Sequence, residues 1–121
     1  MKIYKCKKCG NLVLTLNDKN SITCCGEEMK ELVANTEDAA SEKHVPVVSI
    51  NNNEVTVKCG EMPHPMEEKH YIEFICIETT KGIQIHYLKP NNQPETSFTL
   101  IEGEELLSAY AYCNLHGLWK K

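Results

Sequence analysis

The sequence predicts an all-β chain in two parts, a small cysteine-bearing metal knuckle followed by a β-sandwich. Three observations carry that expectation. Four cysteines, Cys6, Cys9, Cys24 and Cys25, crowd the start of the chain at ligand-like spacings. Asn35 to Ser41 (Asn-Thr-Glu-Asp-Ala-Ala-Ser) is small, polar and without apolar period, as a linker is. Beyond it, short runs rich in β-branched and aromatic residues alternate with turn signals, and no helix-length amphipathic segment occurs. A length of 121 residues suffices for one modest core, or for a small core plus a metal-stapled appendage.

Residues 1–35 read as the first unit. Its β-type runs, Asn11 to Leu16 and Ser21 to Thr23, are joined by the turn-rich Asn17-Asp18-Lys19-Asn20. Residues 36–121 read as the sandwich, entered at His44-Val45-Pro46. After the Asn51-Asn52-Asn53 turn, Val55, Val57 and Cys59 alternate with Glu54, Thr56 and Lys58, the period of a half-buried strand. Further strands are expected over His70 to Thr79, Ile83 to Leu88, Ser97 to Ile101 and Leu106 to Cys113. Lys81-Gly82, Pro90 to Pro94 and Glu102-Gly103 separate them, with room for one helical turn over Glu102 to Leu107. Lys120 and Lys121 read as a solvated tail.

Composition removes several function classes. Seventeen acidic residues against thirteen basic ones give a formal charge of -4, and every basic residue is lysine. Without the bidentate arginine fork, nucleic-acid binding is not expected. No apolar run approaches the ~20 residues that span a bilayer, and the start, Met1 to Lys5, lacks the apolar core of a signal peptide, so a cytoplasmic protein is expected. An odd count of seven cysteines suits metal ligands and buried thiols better than disulfides. Cys59 shares a strand face with Val55 and Val57, and Cys76 one with Ile72 and Phe74, so both read as small buried hydrophobes. Trp119, Tyr110 and Tyr112 read as packing residues.

Two sites of different chemistry emerge. Cys6-Lys7-Lys8-Cys9-Gly10 has the spacing that lets a tight turn aim two sulfurs at one metal. Cys24 and Cys25 are adjacent and would point to opposite sides of an extended backbone. The chain must therefore bend there, and Gly26 tolerates the bend. A distorted tetrahedral tetrathiolate is the result expected, for which zinc and iron are equally suited. The second set is scattered: His44, His64 and His70 near strand ends, then Cys113-Asn114-Leu115-His116 close to the C-terminus. Strand ends and loops are where side chains converge on a shared metal. His86 lies inside a strand beside Gln84 on one face and reads as a solvent-facing histidine.

Taken together, Cys-x-x-Cys-Gly-Asn, Cys-Cys-Gly, Glu-Lys-His-Val-Pro, His-Pro-Met with a second histidine beyond, and Cys-Asn-Leu-His-Gly-Leu-Trp resemble the desulfoferrodoxin type of superoxide reductase along essentially the whole chain. That resemblance implies a desulforedoxin-like or rubredoxin-like domain with iron on Cys6, Cys9, Cys24 and Cys25. It implies an immunoglobulin-like sandwich with a second iron, His44, His64, His70 and His116 equatorial and Cys113 axial. Glu42 would correspond to the carboxylate that occupies the sixth position in the oxidised state, and Lys43 to the lysine near the open position. A homodimer and a rubredoxin-like electron donor are also implied.

Physical reasoning supports such a centre. Imidazoles suit ferrous iron, a thiolate donates charge to it, and five protein ligands leave one position for a small molecule. The negative charge of the chain repels superoxide, so attraction has to come locally, from the metal and the Lys43 ammonium. Two other classes remain open on residues alone. A zinc-stabilised binding module explains the cysteines but leaves the histidine set as coincidence, and a pure electron carrier has no use for a five-ligand site.

Overall fold

The computed structural model describes residues 1–17, 19, 21–37 and 44–121. These form two compact units, Met1–Val33 and Ala34–Lys121. The described residues are all-β, without a helix.

In the first unit, β1 (Lys2–Lys5), β2 (Leu12–Thr15) and β5 (Lys30–Glu31) make an antiparallel sheet in the order β2-β1-β5. A separate hairpin pairs β3 (Thr23–Cys24) with β4 (Glu27–Glu28). The buried apolar residues here are Ile3, Cys6 and Met29. So small a core cannot offset the ordering entropy of a unit of this length, which makes the cysteines its natural staple.

The second unit is a sandwich of two antiparallel sheets. One has the order β10-β7-β6, from β6 (Pro46–Asn51), β7 (Glu54–Cys59) and β10 (Glu95–Thr99). The other has the order β12-β11-β8-β9, from β8 (Ile72–Thr79), β9 (Gly82–Tyr87), β11 (Leu106–Cys113) and β12 (Gly117–Lys120). Three strands facing four in this arrangement is the expected immunoglobulin-like sandwich. On β7 the expected alternation holds, with Val55, Val57 and Cys59 buried between more exposed neighbours. They pack in one cluster with Phe98 of β10, Ile75 and Ile77 of β8 and Ala111 of β11. Cys76 is completely buried as well, and that burial pushes its thiol up to about 12, as suits a packing residue.

Three expectations are corrected. Lys120 does not belong to a solvated tail: Gly117 to Lys120 pair with β11 as the edge strand β12, Lys120 lying opposite Tyr110. On β9 the faces are inverted. Tyr87 is 81% exposed, whereas His86 is half-buried, its ring stacked on Phe98 at 4.3 Å and its Nδ1 2.7 Å from Thr96 Oγ1. Gln84 likewise donates to the Thr99 carbonyl at 3.0 Å. An edge strand lets polar side chains find partners on β10, so His86 is a satisfied packing histidine rather than a solvent-facing one. Finally, Glu102 to Leu107 makes no helical turn, because Glu104 accepts from Ile101 N at 3.0 Å and from Thr79 Oγ1 at 2.5 Å, pinning a tight turn to the end of β8.

Candidate metal centres

The first cluster is built by two turns. Gly10 N donates to the Cys6 carbonyl at 3.0 Å with Gly10 at φ 78°, which curls the chain so that Cys6 and Cys9 face together. Cys25 and Gly26 are the two residues linking β3 to β4, at φ 52° and 77°. Positive φ at both positions is the pattern of a type I′ hairpin turn, so the bend required by adjacent cysteines lies at Cys25 as well as at Gly26. Cys9 Sγ lies 3.6 Å from Cys24 Sγ, and Cys24 Sγ 3.9 Å from Cys25 Sγ. Those spacings bracket about 3.8 Å, the edge of a tetrahedron with metal–sulfur bonds of ~2.3 Å.

Proton affinities within the cluster point the same way. The Cys9 backbone N–H, 3.5 Å from Cys6 Sγ, leads in lowering the Cys6 thiol to about 6. Hydrogen bonding to Cys6, then to Cys9, pushes Cys24 up to about 12, and Cys25 is also raised, chiefly by its bond to Cys9. Sulfurs this close cannot all be anionic alone. A bound cation reverses that penalty and makes the tetrathiolate stable.

In the second unit, strand ends and loops deliver the other donors to one place. His44 precedes β6, His64 and His70 lie in the connection from β7 to β8, and Cys113 and His116 bracket the β11–β12 turn. Ring centroids run His44–His64 4.6 Å, His64–His70 4.7 Å, His70–His116 5.0 Å and His116–His44 4.9 Å, with a His44–His70 diagonal of 6.4 Å. Four imidazoles thus form a near-square, each meeting its neighbours edge to face at 61° to 82°. Donor atoms of His44, His70, Cys113 and His116 all lie within 4.8 Å of one another, and His64 completes the square by its ring position. Cys113 has no exposed surface, whereas His116 is exposed and His70 half-buried, so the thiolate sits deep and the imidazole edge reaches the surface.

The donors fit a metal. His70 Nε2 is buried without a hydrogen-bond partner among the described residues. His64 Nδ1 lies 2.6 Å from the Pro65 carbonyl, which can only accept, so Nδ1 carries the proton and Nε2 the lone pair. A nitrogen and thiolate set of this kind suits iron.

Neighbouring residues hold the donors. His44 is gripped twice, its ring stacked on Trp119 at 4.6 Å and 13° and its carbonyl accepting from Cys59 Sγ at 3.2 Å. Trp119 and Cys59 therefore do more than pack. His70 closes a tight loop through reciprocal backbone bonds with Glu67, and Asn114 bonds to the chain on both sides of it. These contacts depend on which strands become neighbours, so no spacing in the sequence announces them. Glu42 and Lys43, like linker residues 38–41, lie outside the described residues.

Comparison with known proteins places this geometry in context. A model of the desulfoferrodoxin family matches residues 36–121. A desulfoferrodoxin homolog of Archaeoglobus fulgidus is 43% identical over 121 residues, covering 99% of this chain and 95% of that protein. The desulfoferrodoxin of Syntrophotalea carbinolica is 45% identical over 120 residues, covering 98% and 94%. Among solved structures, the superoxide reductase from Treponema pallidum superposes with a TM-score of 0.88 at 35% identity, covering 99% of this chain and 96% of that one.

Proposed function

The chain belongs to the desulfoferrodoxin family, and from that premise we propose that it is a superoxide reductase with iron at both cysteine-bearing sites. The observation that carries the proposal is the near-square of His44, His64, His70 and His116 beside the buried Cys113. A structural zinc knot needs four donors and closes on itself; a fifth protein donor beside four imidazoles suits an iron that leaves one position for a substrate. When bound, ferrous iron supplies the one electron that, with two protons, turns superoxide into hydrogen peroxide, and a rubredoxin-like donor restores it.

The chain's own residues set the conditions. The four imidazoles would hold the metal and, being neutral donors, would leave its positive charge available to an anion. Cys113, sealed from water, would supply negative charge that favours the oxidised metal; because a thiolate ligand also promotes O–O cleavage in other iron enzymes, release of peroxide would depend on a solvent-accessible site and ready protonation. Exposure at His116 keeps the imidazole edge within reach of a small substrate and of solvent protons. By the family resemblance, Lys43 would attract superoxide and order the water that delivers protons, and Glu42 would supply a carboxylate to the oxidised centre. The tetracysteine unit would carry the second iron, and the chain would act as a homodimer in the reducing cytoplasm.

A single-turnover experiment tests the reading. The fully reduced protein is mixed with superoxide, and spectra and peroxide are recorded. Oxidation of the histidine–cysteine iron alone with one peroxide formed per superoxide is expected; oxygen as a product contradicts it.

A further inference from the structure

Asn114 lies between the two donors of the C-terminal motif, where its side chain has no place in a ligand set. Its contacts are with a distant part of the chain. Asn114 Oδ1 accepts from Tyr71 N at 3.0 Å, and Asn114 Nδ2 donates to the Lys69 carbonyl at 3.0 Å. The Asn114 backbone N also donates to the Tyr71 carbonyl at 3.2 Å. Tyr71 and Lys69 flank His70, so one carboxamide straddles that histidine.

The reason lies in the sheet. β11 pairs with β8 as far as Cys113 opposite Ile72, with a register irregularity between Tyr112 and Cys113. Past that point the chain must leave the ladder to turn His116 toward the other imidazoles. Its backbone then reaches β8's lead-in segment through a single bond. The carboxamide side chain, with one acceptor and two donors, continues the ladder in the backbone's place. Both of its groups face partners of fixed polarity, a backbone N–H and a carbonyl, which also settles its orientation.

We propose that Asn114 is a positioning residue that locks His70 to the Cys113–His116 turn, holding the two halves of the donor set at metal-binding distance. The inference rests on the metal-centre reading of those residues. Aspartate keeps the acceptor toward Tyr71 N but sets a carboxylate oxygen against the Lys69 carbonyl, which also only accepts, and alanine loses both bonds, leaving Tyr71 N and the Lys69 carbonyl to find water.

The test uses the full chain loaded anaerobically with ferrous iron and challenged with a ferrous chelator. The tetracysteine centre, oxidised selectively to the ferric state so that its own visible spectrum can be followed, is the internal control. For Asn114→Ala we expect iron loss from the histidine–cysteine centre to accelerate by about 10- to 100-fold, the usual effect of removing a group that orients a ligand. Its ferric thiolate band should also shift, while the control centre keeps its wild-type rate. Asn114→Asp should also lose this iron faster than wild type, and carries the test if the alanine variant does not fold. Wild-type rates and spectra in either variant would overturn the proposal, as would a lowered thermal midpoint of the iron-free chain without faster iron loss. Wild-type protein whose histidine–cysteine centre takes up no iron would instead overturn the metal-centre reading itself.

Discussion

Cys113 Sγ lies 3.8 Å from His116 Nδ1, yet the thiol is fully buried and the imidazole exposed. A turn of two intervening residues thus leads from a sealed sulfur to an exposed imidazole. That polarity separates what the thiolate does, which is electronic, from what the exposed edge does, which is to admit a substrate.

Cys113→Ser is accordingly expected to abolish superoxide reduction and the thiolate charge-transfer band of the second centre. Serine presents a hard oxygen that is protonated at neutral pH, a poor replacement for a soft thiolate. Optical spectra of the iron-loaded variant check this, with the tetracysteine spectrum expected intact; a surviving band would assign it to another sulfur.

Lys43→Ala should slow superoxide capture by roughly tenfold at low salt and flatten its dependence on ionic strength, because steering by a nearby charge is screened within a Debye length. Pulse radiolysis across a salt series measures both. Equal rates and equal slopes would remove Lys43 from the mechanism.

At the tetracysteine cluster, metal competes with protons. Cys24 at about 12 and the raised Cys25 hold their protons across the neutral range, so affinity should climb with pH there. Cys6 at about 6 is already a thiolate at neutral pH and adds its own proton competition only below that value. A plot of log affinity for zinc against pH, from chelator competition, should therefore steepen on the acid side of about 6. A slope that stays constant through that point would contradict the assignment of the low value to Cys6.

Glu104 tests the fold rather than the chemistry. The Thr79 hydroxyl, then the Ile101 N–H, holds its carboxyl below the ordinary range. A depressed carboxylate stabilises the folded chain above its unfolded value and loses that contribution as the pH falls through its folded value. Glu104→Gln should thus lower the thermal midpoint at neutral pH, with the gap to wild type closing in acid. A gap independent of pH would mean that the charge is immaterial.

Where local pattern and tertiary demand agree, the sequence was sufficient. Val55, Val57 and Cys59 alternate because β7 has a buried face and an exposed one, and their burial follows the alternation. The same logic misleads at β9, where Gln84 and His86 turn inward because β10, the next strand but a member of the other sheet, offers them hydrogen bonds. β12 was hidden because Gly117 to Lys120 is short and ends in charge, and pairing with β11 alone makes it a strand. At the second centre the donors could be named from their residue types and the family resemblance. Their supports could not: the Trp119 stack, the Cys59 thiol and the Asn114 carboxamide each act across the fold on a donor or on the chain beside one.

The ratio of donor electrons used to superoxide consumed tests the proposed reaction most directly. In steady state, with a rubredoxin-like donor and a defined superoxide flux, about one electron should be drawn per superoxide, with peroxide formed and no oxygen evolved. Superoxide loss without donor oxidation, accompanied by oxygen, would instead show dismutation and contradict the reductase assignment.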